Sequence, residues 1–429
     1  MEKIVKIAQG LLAGTDGTYA TIYKGVPYAK PPVGELRWKE PQRPEAWNGI
    51  FQADTFPPIC PQGIQEGFYQ KEFYNDSAYM PPQSEDCLYL NIWVPKKGEG
   101  PFPVAIWFHG GAFAAGFCSE MEFDGEAYAK RGIILVTAAY RLGLLGFFAH
   151  PELRVRDGHG GNYGMLDQIA TIDWVRGNIA AFGGDVDKIT IMGQSAGGMS
   201  VRALTSSPLV RSKVQGAVIQ SGGGYKSPLP VNTLDVKRLE EGFAASLAAR
   251  GVSLQDMYTK TPDELLVMQL VLWKELAVAT GCMLPLCPQV DGYALTKTCD
   301  QVLEDGEQLP IPYLIGCNKN DLSKDDGKSY LQDPLHLSNA AFCEMQKDNP
   351  NTYVYYFKRQ LPGDDMGAFH SAELWYMFGT LSRCWRPLTE SDTALSEEML
   401  DAWASFIKTG DPGWGHYTKE DPVVKEFDI

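Results

Sequence analysis

Between Lys188 and Ser207 an alternating β-branched and apolar run, Lys188-Ile189-Thr190-Ile191-Met192, stops at Gly193 and gives way to a small-residue segment that reads as a helix. The junction is Gly193-Gln194-Ser195-Ala196-Gly197, a serine two residues from a glycine on each side. A sharp strand-to-helix turn needs glycine at both places, because a Cβ there would meet the neighbouring strand or helix. Such a turn holds the serine hydroxyl in the open at a sheet edge, beside the positive end of a helix. Ser195 is therefore the candidate nucleophile. The five-residue pattern alone also fits a glycine-rich surface turn, so the weight falls on the rest of the chain.

A strand at 188–192 needs partners, and the flanking sequence supplies them. Leu88–Val94, Pro103–Phe108 and Gly132–Tyr140 are apolar runs, the last two nearly continuous, as parallel strands covered on both faces are. Tyr163–Ile179 places Leu166, Ile169, Ala170, Trp174 and Val175 at helical spacing, and Val214–Gln220 reads as a further strand. Strand and helix in alternation predict an α/β class fold with a doubly wound, mostly parallel sheet flanked by helices. Proline clusters up to Pro82 read as connections wrapped around a core built later.

From about 223 to 288 the pattern turns helical. Asn232–Arg250 ends at Gly251, and Thr261-Pro262-Asp263-Glu264 is a capping box that opens an amphipathic helix. Strand patterns resume at Ile311–Gly316 and Tyr353–Phe357, so this stretch is expected as a helical insert over the sheet edge, within one domain spanning 1–429. Ser391–Thr409, with Leu395, Met399, Trp403 and Phe406 on one face, is a last amphipathic helix closed by Gly410 and Pro412.

A serine hydroxyl is a poor nucleophile near neutral pH and needs a base and a group to orient that base. In folds with this elbow the chain order is serine, acid, histidine. Of six histidines, His109, His150 and His159 precede Ser195; His336 and His416 lie in polar stretches with no strand directly before them. His370 follows the Thr352–Phe357 strand through a glycine-containing loop and is the expected base. The acid should follow the Pro312–Gly316 strand, which points to Asp321, with Asp325 and Asp326 as competitors by position. Charge developing on the carbonyl oxygen calls for N–H donors, which Ala196 and the Gly110-Gly111-Ala112 loop can supply.

Composition excludes other classes. The formal net charge of -15 argues against nucleic acid as a partner, and favours neutral or cationic ligands. No apolar run reaches membrane-spanning length, and the Met1-Glu2-Lys3-Ile4 start lacks the pattern of a signal peptide, so a cytoplasmic enzyme is expected. The nine cysteines show no metal-ligand spacing, and no metal or organic cofactor is expected. The residues are silent on oligomeric state.

Longer linked motifs add a family resemblance. Lys24-Gly25-Val26-Pro27-Tyr28-Ala29, Pro31-Pro32-Val33-Gly34-Glu35-Leu36-Arg37-Trp38, Ser84-Glu85-Asp86-Cys87-Leu88-Tyr89-Leu90-Asn91, Gly161-Asn162-Tyr163-Gly164 and Phe182-Gly183-Gly184-Asp185 lead in order to the elbow. With them the chain, from near Gly10 to its end, resembles the type-B carboxylesterase family, the cholinesterase-like branch of the α/β-hydrolases. The resemblance implies a serine carboxylesterase acting on small-molecule esters through an acyl-enzyme. It implies Ser195 as nucleophile, His370 as base, Asp321 where the family usually has Glu, and Gly111, Ala112 and Ala196 as oxyanion hole. Phe113, Phe117, Trp375 and Phe378 fall near the chemistry by motif position and are the expected substrate-pocket residues.

Three departures bear on function. Gln194 stands beside the serine where relatives commonly carry Glu, which speaks against cholinesterase activity. The segment from Asp321 to His370 is shorter than usual, which points to a more open site. Cys60 and Cys87 match a disulfide of secreted relatives but are expected here as adjacent free thiols. Two other readings are a catalytically inactive binding or adhesion protein, which would typically have lost the serine or the histidine, and a lipase, which would typically show a long apolar lid.

Overall fold

The computed structural model describes residues 3–63, 66–229, 235–322, 329–346, 349 and 351–429. Its strands are β1 (Lys3–Ile7), β2 (Gly10–Asp16), β3 (Ala20–Pro27), β4 (Ile50–Gln52), β5 (Tyr89–Pro95), β6 (Phe102–Phe108), β7 (Ile134–Ala138), β8 (Gly184–Gln194), β9 (Gly216–Gln220), β10 (Tyr313–Asn318), β11 (Thr352–Phe357) and β12 (Val424–Phe427). Among the described residues they form one sheet in the order β1-β2-β3-β5-β7-β6-β8-β9-β10-β11-β12, with β4 beside β2. The first pairings are antiparallel; from β7 onward every neighbour is parallel. This is the α/β-hydrolase architecture expected from the sequence.

The continuous apolar runs hide a period of two. Ile106, Ile191, Ala217, Ile219 and Ile315 face one core, shared with the helix Tyr163–Asn178. Ala105, Trp107, Met192, Val218 and Leu314 face the other, where Leu395, Met399, Trp403 and Phe406 of the helix Glu390–Thr409 cover them. Both faces are covered, so apolar residues predominate at both positions of the alternation. Register carries the consequence: Gly193 lies beside Phe108 of β6 and Ile219 of β9, and Gly316 beside Gln220. The carboxyl ends of the central parallel strands therefore finish level, at one edge, which is where open α/β sheets bind ligands.

The helical insert is present but placed differently from expectation. Its helices are Val236–Ala248, Leu254–Thr259 and Pro262–Thr280, and Asn232, where the sequence starts the first of them, lies outside the described residues. Rather than covering the sheet edge, they pack on the segment that follows β7 and on the N-terminal wrap. Phe243 meets Phe148 at 5.0 Å between ring centroids, and Tyr258 meets Trp38 at 4.9 Å. Leu239, Leu247, Leu265, Leu272 and Leu276 extend the first core outward, so apolar burial decides the position. No helix among the described residues is long and apolar enough to cross a membrane.

A buried ion pair ties the segment after β7 to the helix Tyr163–Asn178. Arg141, just past β7, donates from Nη2 to Asp167 Oδ1 at 2.7 Å and from Nε to Oδ2 at 2.8 Å, and its backbone N–H reaches the same carboxylate at 3.0 Å. Both side chains are buried and the fork geometry is bidentate, which is what lets two charges share a dry interior. Arg141→Met leaves Asp167 charged and unpaired; urea unfolding should register a loss of about 3–5 kcal/mol, part of it recovered in Arg141→Met/Asp167→Leu.

Candidate active site

β8 runs straight into the helix Ala196–Ser206, and the hinge residue is Ser195, with φ at +56° and ψ at −125°. A serine in that region is strained by about 1–3 kcal/mol, and the surroundings hold it there. Its N–H donates to the Gln220 carbonyl of β9 at 2.8 Å, and its own carbonyl accepts from Met199 N–H at 2.8 Å. A Cβ on Gly193 would overlap the Gly197 backbone, and one on Gly197 would overlap the Phe108 carbonyl oxygen. The two glycines exist for this crossing.

The loop after β6 takes an unusual path, with positive φ at Gly111 (+100°), Ala112 (+53°) and Phe113 (+60°). Ala114 and Ala115 N–H close back onto the Gly111 carbonyl at 3.0 and 2.9 Å. Among the described residues the N–H groups of Gly111, Ala112 and Ala196 have no acceptor in the protein. His109, stacked on Tyr140 at 4.5 Å, anchors the loop's start; burial pushes its pKa down to about 4, so it stays neutral.

The loops after β10 and β11 are joined to each other. Asn320 N–H donates to the Ala368 carbonyl at 3.0 Å, Ala368 N–H to Asn320 Oδ1 at 2.9 Å, and Asn318 Nδ2 to the Phe369 carbonyl at 2.8 Å. This brings His370 Nδ1 to 2.6 Å from Asp321 Oδ1. The other oxygen, Asp321 Oδ2, accepts from Ser221 Oγ at 2.8 Å and Asn318 N–H at 2.6 Å. With Asp321 ionised, Nδ1 carries the proton and Nε2 is left as an acceptor. Gln194 Nε2 lies 3.3 Å from that Nε2 and donates to it. Burial alone would lower the imidazole pKa; the Asp321 hydrogen bond and the charges of Asp321 and Glu373 outweigh it, and the net value lies above 6.5.

The other sequence candidates do not join this cluster. Asp325 and Asp326 lie outside the described residues. His336 is buried between Tyr330 and Tyr356 with its pKa lowered to about 4 by desolvation, and His416 is exposed. Glu373 and Ser221 were not singled out from sequence. Glu373 is fully buried, accepts from Asn318 Nδ2 and from Gln220 Nε2, and has its pKa raised to about 7 by burial and then by Asp321. Its signal was its place three residues after His370; that of Ser221 was its place directly after a central strand, as Ser195 is after β8.

Ser195 and His370 line one cavity of about 320 Å³, with Gly110, Gly111, Ala112 and Gln194 at the same end. A larger hollow, of about 610 Å³ beside Tyr28, Pro44 and Trp174, shares no lining residue with it. The apolar wall corrects the sequence expectation: Phe113, Phe117, Trp375 and Phe378 are buried behind the cavity, not in its wall. Phe113 packs on Phe147, Phe117 on Tyr74, Trp375 on Phe73 and Phe378 on Phe123. Tyr69, Phe73, Tyr74, Phe123 and Leu374 form the wall. Much of it comes from the helix Phe68–Phe73, part of the proline-rich wrap that sequence pattern left without a role.

The arrangement has relatives. The Carboxylesterase family matches residues 1–333 and 334–427. The chain is 30% identical to the para-nitrobenzyl esterase of Bacillus subtilis (strain 168), over 97% of this chain and 93% of that protein. It is 36% identical to the fumonisin B1 esterase of Sphingopyxis macrogoltabida over 76% of this chain and 57% of that one. A solved PNB esterase structure superposes with a TM-score of 0.85 at 30% identity, covering 100% of this chain and 96% of the other.

The elbow's crowding is testable by pairing two alanine substitutions. Gly177→Ala, at a helical site with open space, should leave the unfolding free energy level or raise it, by up to about 1 kcal/mol in urea unfolding. Gly197→Ala should cost about 3 kcal/mol or more, because the obstacle is backbone that cannot swing away.

Proposed function

The chain belongs to the carboxylesterase family and hydrolyses carboxylic esters, and on that premise we propose that it does so with Ser195 as nucleophile, His370 as general base and acid, and Asp321 as the orienting carboxylate. Ser195 Oγ attacks the ester carbonyl while His370 Nε2 takes its proton. The Gly111, Ala112 and Ala196 N–H groups meet the oxyanion. The alcohol leaves with the proton from His370, and water, deprotonated by the same nitrogen, then releases the acid from the acyl-enzyme.

One observation carries this reading: the 2.6 Å Asp321–His370 contact on a histidine that shares a cavity with Ser195. Asp321 keeps the proton on Nδ1 and stabilises the imidazolium that forms. Gln194 occupies the Nε2 lone pair between turnovers, so the serine hydroxyl has to displace that amide to be activated. The cavity volume lies at the small end of ligand pockets, which suits esters of short acids or simple aryl alcohols.

The whole of 1–429 acts in this reading as one catalytic unit. Cys60 and Cys87 are both buried, and in this reading they stay as thiols in a reducing cytoplasm.

Intact-mass measurement after treatment with an aryl phosphonate should show one covalent adduct on the native protein and none on Ser195→Ala; an adduct persisting in that variant would move the nucleophile elsewhere. For kcat/KM against pH, the base must be neutral, so the rate should rise through a midpoint above 6.5, where the folded imidazole loses its proton. Asp321→Asn removes the larger of the contributions that raise this pKa and leaves that of Glu373, so the midpoint should fall, with kcat down by roughly 10³–10⁴.

A further inference from the structure

Among the described residues four serines have left-handed backbone: Ser195 (φ +56°), Ser212 (+60°), Ser221 (+48°) and Ser371 (+80°). That region favours glycine, and a side chain is held there against strain. Ser212 is exposed. Ser195 is the proposed nucleophile, and Ser221 donates its hydroxyl to Asp321 at 2.8 Å. Ser371, directly after the base, has no such task inside the protein. Its turn is closed by backbone alone: Ala372 N–H donates to the Phe369 carbonyl at 3.0 Å and Leu374 N–H to the Ser371 carbonyl at 3.2 Å. Glycine would serve that turn without the strain.

The side chain is what the fold leaves unexplained. Ser371 is 8% exposed and lines the cavity that holds Ser195. Its Oγ has no hydrogen-bond partner among the described residues. It is also not one of the fully enclosed side-chain oxygens, so the little surface this residue keeps includes the hydroxyl and opens on the cavity. Polar groups close to the reacting atoms are already engaged. Asp321 and Gln194 occupy the two ring nitrogens of His370, and Glu120 Oε1 accepts from Phe117 N–H and Tyr74 O–H. The Gly111, Ala112 and Ala196 N–H groups are reserved for the oxyanion. The hydroxyl of Ser371 stays free in a wall otherwise built from Tyr69, Phe73, Tyr74, Phe123 and Leu374.

We propose that Ser371 is a specificity-determining residue whose hydroxyl donates a hydrogen bond to an oxygen on the alcohol half of the ester. This deepens the reading of Ser195 and His370 as the reacting pair and rests on it. The carbonyl oxygen lies at the Gly111, Ala112 and Ala196 N–H groups, and the leaving oxygen must reach His370 Nε2 to receive its proton. The chain on that oxygen then starts beside residues 370 and 371. Consecutive Cα atoms stand about 3.8 Å apart, so the oxygen recognised lies within a few bonds of the leaving one. The substrate class is short-acid esters of alcohols that carry a second oxygen, ether or hydroxyl, close to the ester. A plain hydrocarbon alcohol leaves the serine hydroxyl unpaired against an apolar chain, which is how a polar group in a pocket discriminates.

The test crosses two esters with two variants on the full chain. 2-Methoxyethyl acetate and butyl acetate differ by one ether oxygen in place of a methylene, and acid release is followed in a pH-stat. The kcat/KM ratio of the ether ester to the alkyl ester should be about three- to tenfold higher in the native protein than in Ser371→Ala or Ser371→Gly, carried by KM. The intrinsic reactivity of each ester is common to all three proteins and cancels in this comparison. Ser371→Gly should melt at or above the native temperature, since glycine relieves the left-handed strain, and both variants should keep the native pH midpoint. A ratio unchanged in both variants overturns the proposal. So does a loss in Ser371→Ala that Ser371→Gly restores, which would assign the effect to the backbone, or a moved pH midpoint, which would make Ser371 a support for His370. Cleavage of neither ester by the native protein would sink the esterase chemistry alone. NMR titration of both esters against Ser195→Ala and Ser195→Ala/Ser371→Gly would still decide the hydrogen bond: the same three- to tenfold change in the binding ratio supports it, and an equal ratio overturns it.

Discussion

The bond between Asp321 and His370 depends on two loops behaving as one. Neither loop has regular structure, yet Asn318 and Asn320 stitch the first to the backbone of the second at residues 368 and 369. An aspartate is a methylene shorter than the glutamate usual in this family, and the stitching is close enough for the shorter acid to reach. Ser221 and the Asn318 N–H fill the other oxygen, so the carboxylate is buried with its acceptor sites met. Without those donors the carboxylate would be free to turn, the imidazole would lose the partner that keeps its proton on Nδ1, and nothing at Ser195 could compensate.

Around this joint lies an unusual density of buried acid. Glu373 lies within reach of Asp321's charge, while Glu120 and Glu122 are among the residues that line the Ser195 cavity. Amide donors hold Glu373, and backbone and tyrosine donors hold Glu120. The charges of Asp321 and Glu373 favour an imidazolium at residue 370 during acyl transfer.

Much of this was legible in the chain. The elbow announces itself because two glycines are needed where strand and helix cross, and chain order then selects among six histidines. Strands β5 to β11 were found as apolar runs, and only their ends moved, as where β10 reaches Asn318 and leaves Asp321 three residues beyond it; β1, β4 and β12 were not read from the sequence. The pocket wall was not legible. Phe113, Phe117, Trp375 and Phe378 lie near the motifs in sequence, yet an aromatic beside a motif is as readily covered as exposed. Their neighbours Phe73, Tyr74 and Phe123 took the lining positions. Glu373, three residues past the base, was overlooked because a charged residue at that spacing usually marks a solvated turn.

What the sequence by itself determined is local: where the chain must turn, which runs must be buried on both faces, and which residue types the chemistry requires. Those follow from the size of a missing side chain, from periodicity and from the order of elements along the chain. The tertiary structure alone decided which side chains meet across long separations. Asp321 against His370, Gln194 against the same ring, the Phe68–Phe73 helix against the nucleophile's cavity and the helical insert against Phe148 are set by how sheet register and loop packing close the interior. No residue carries that information until the whole core has formed around it.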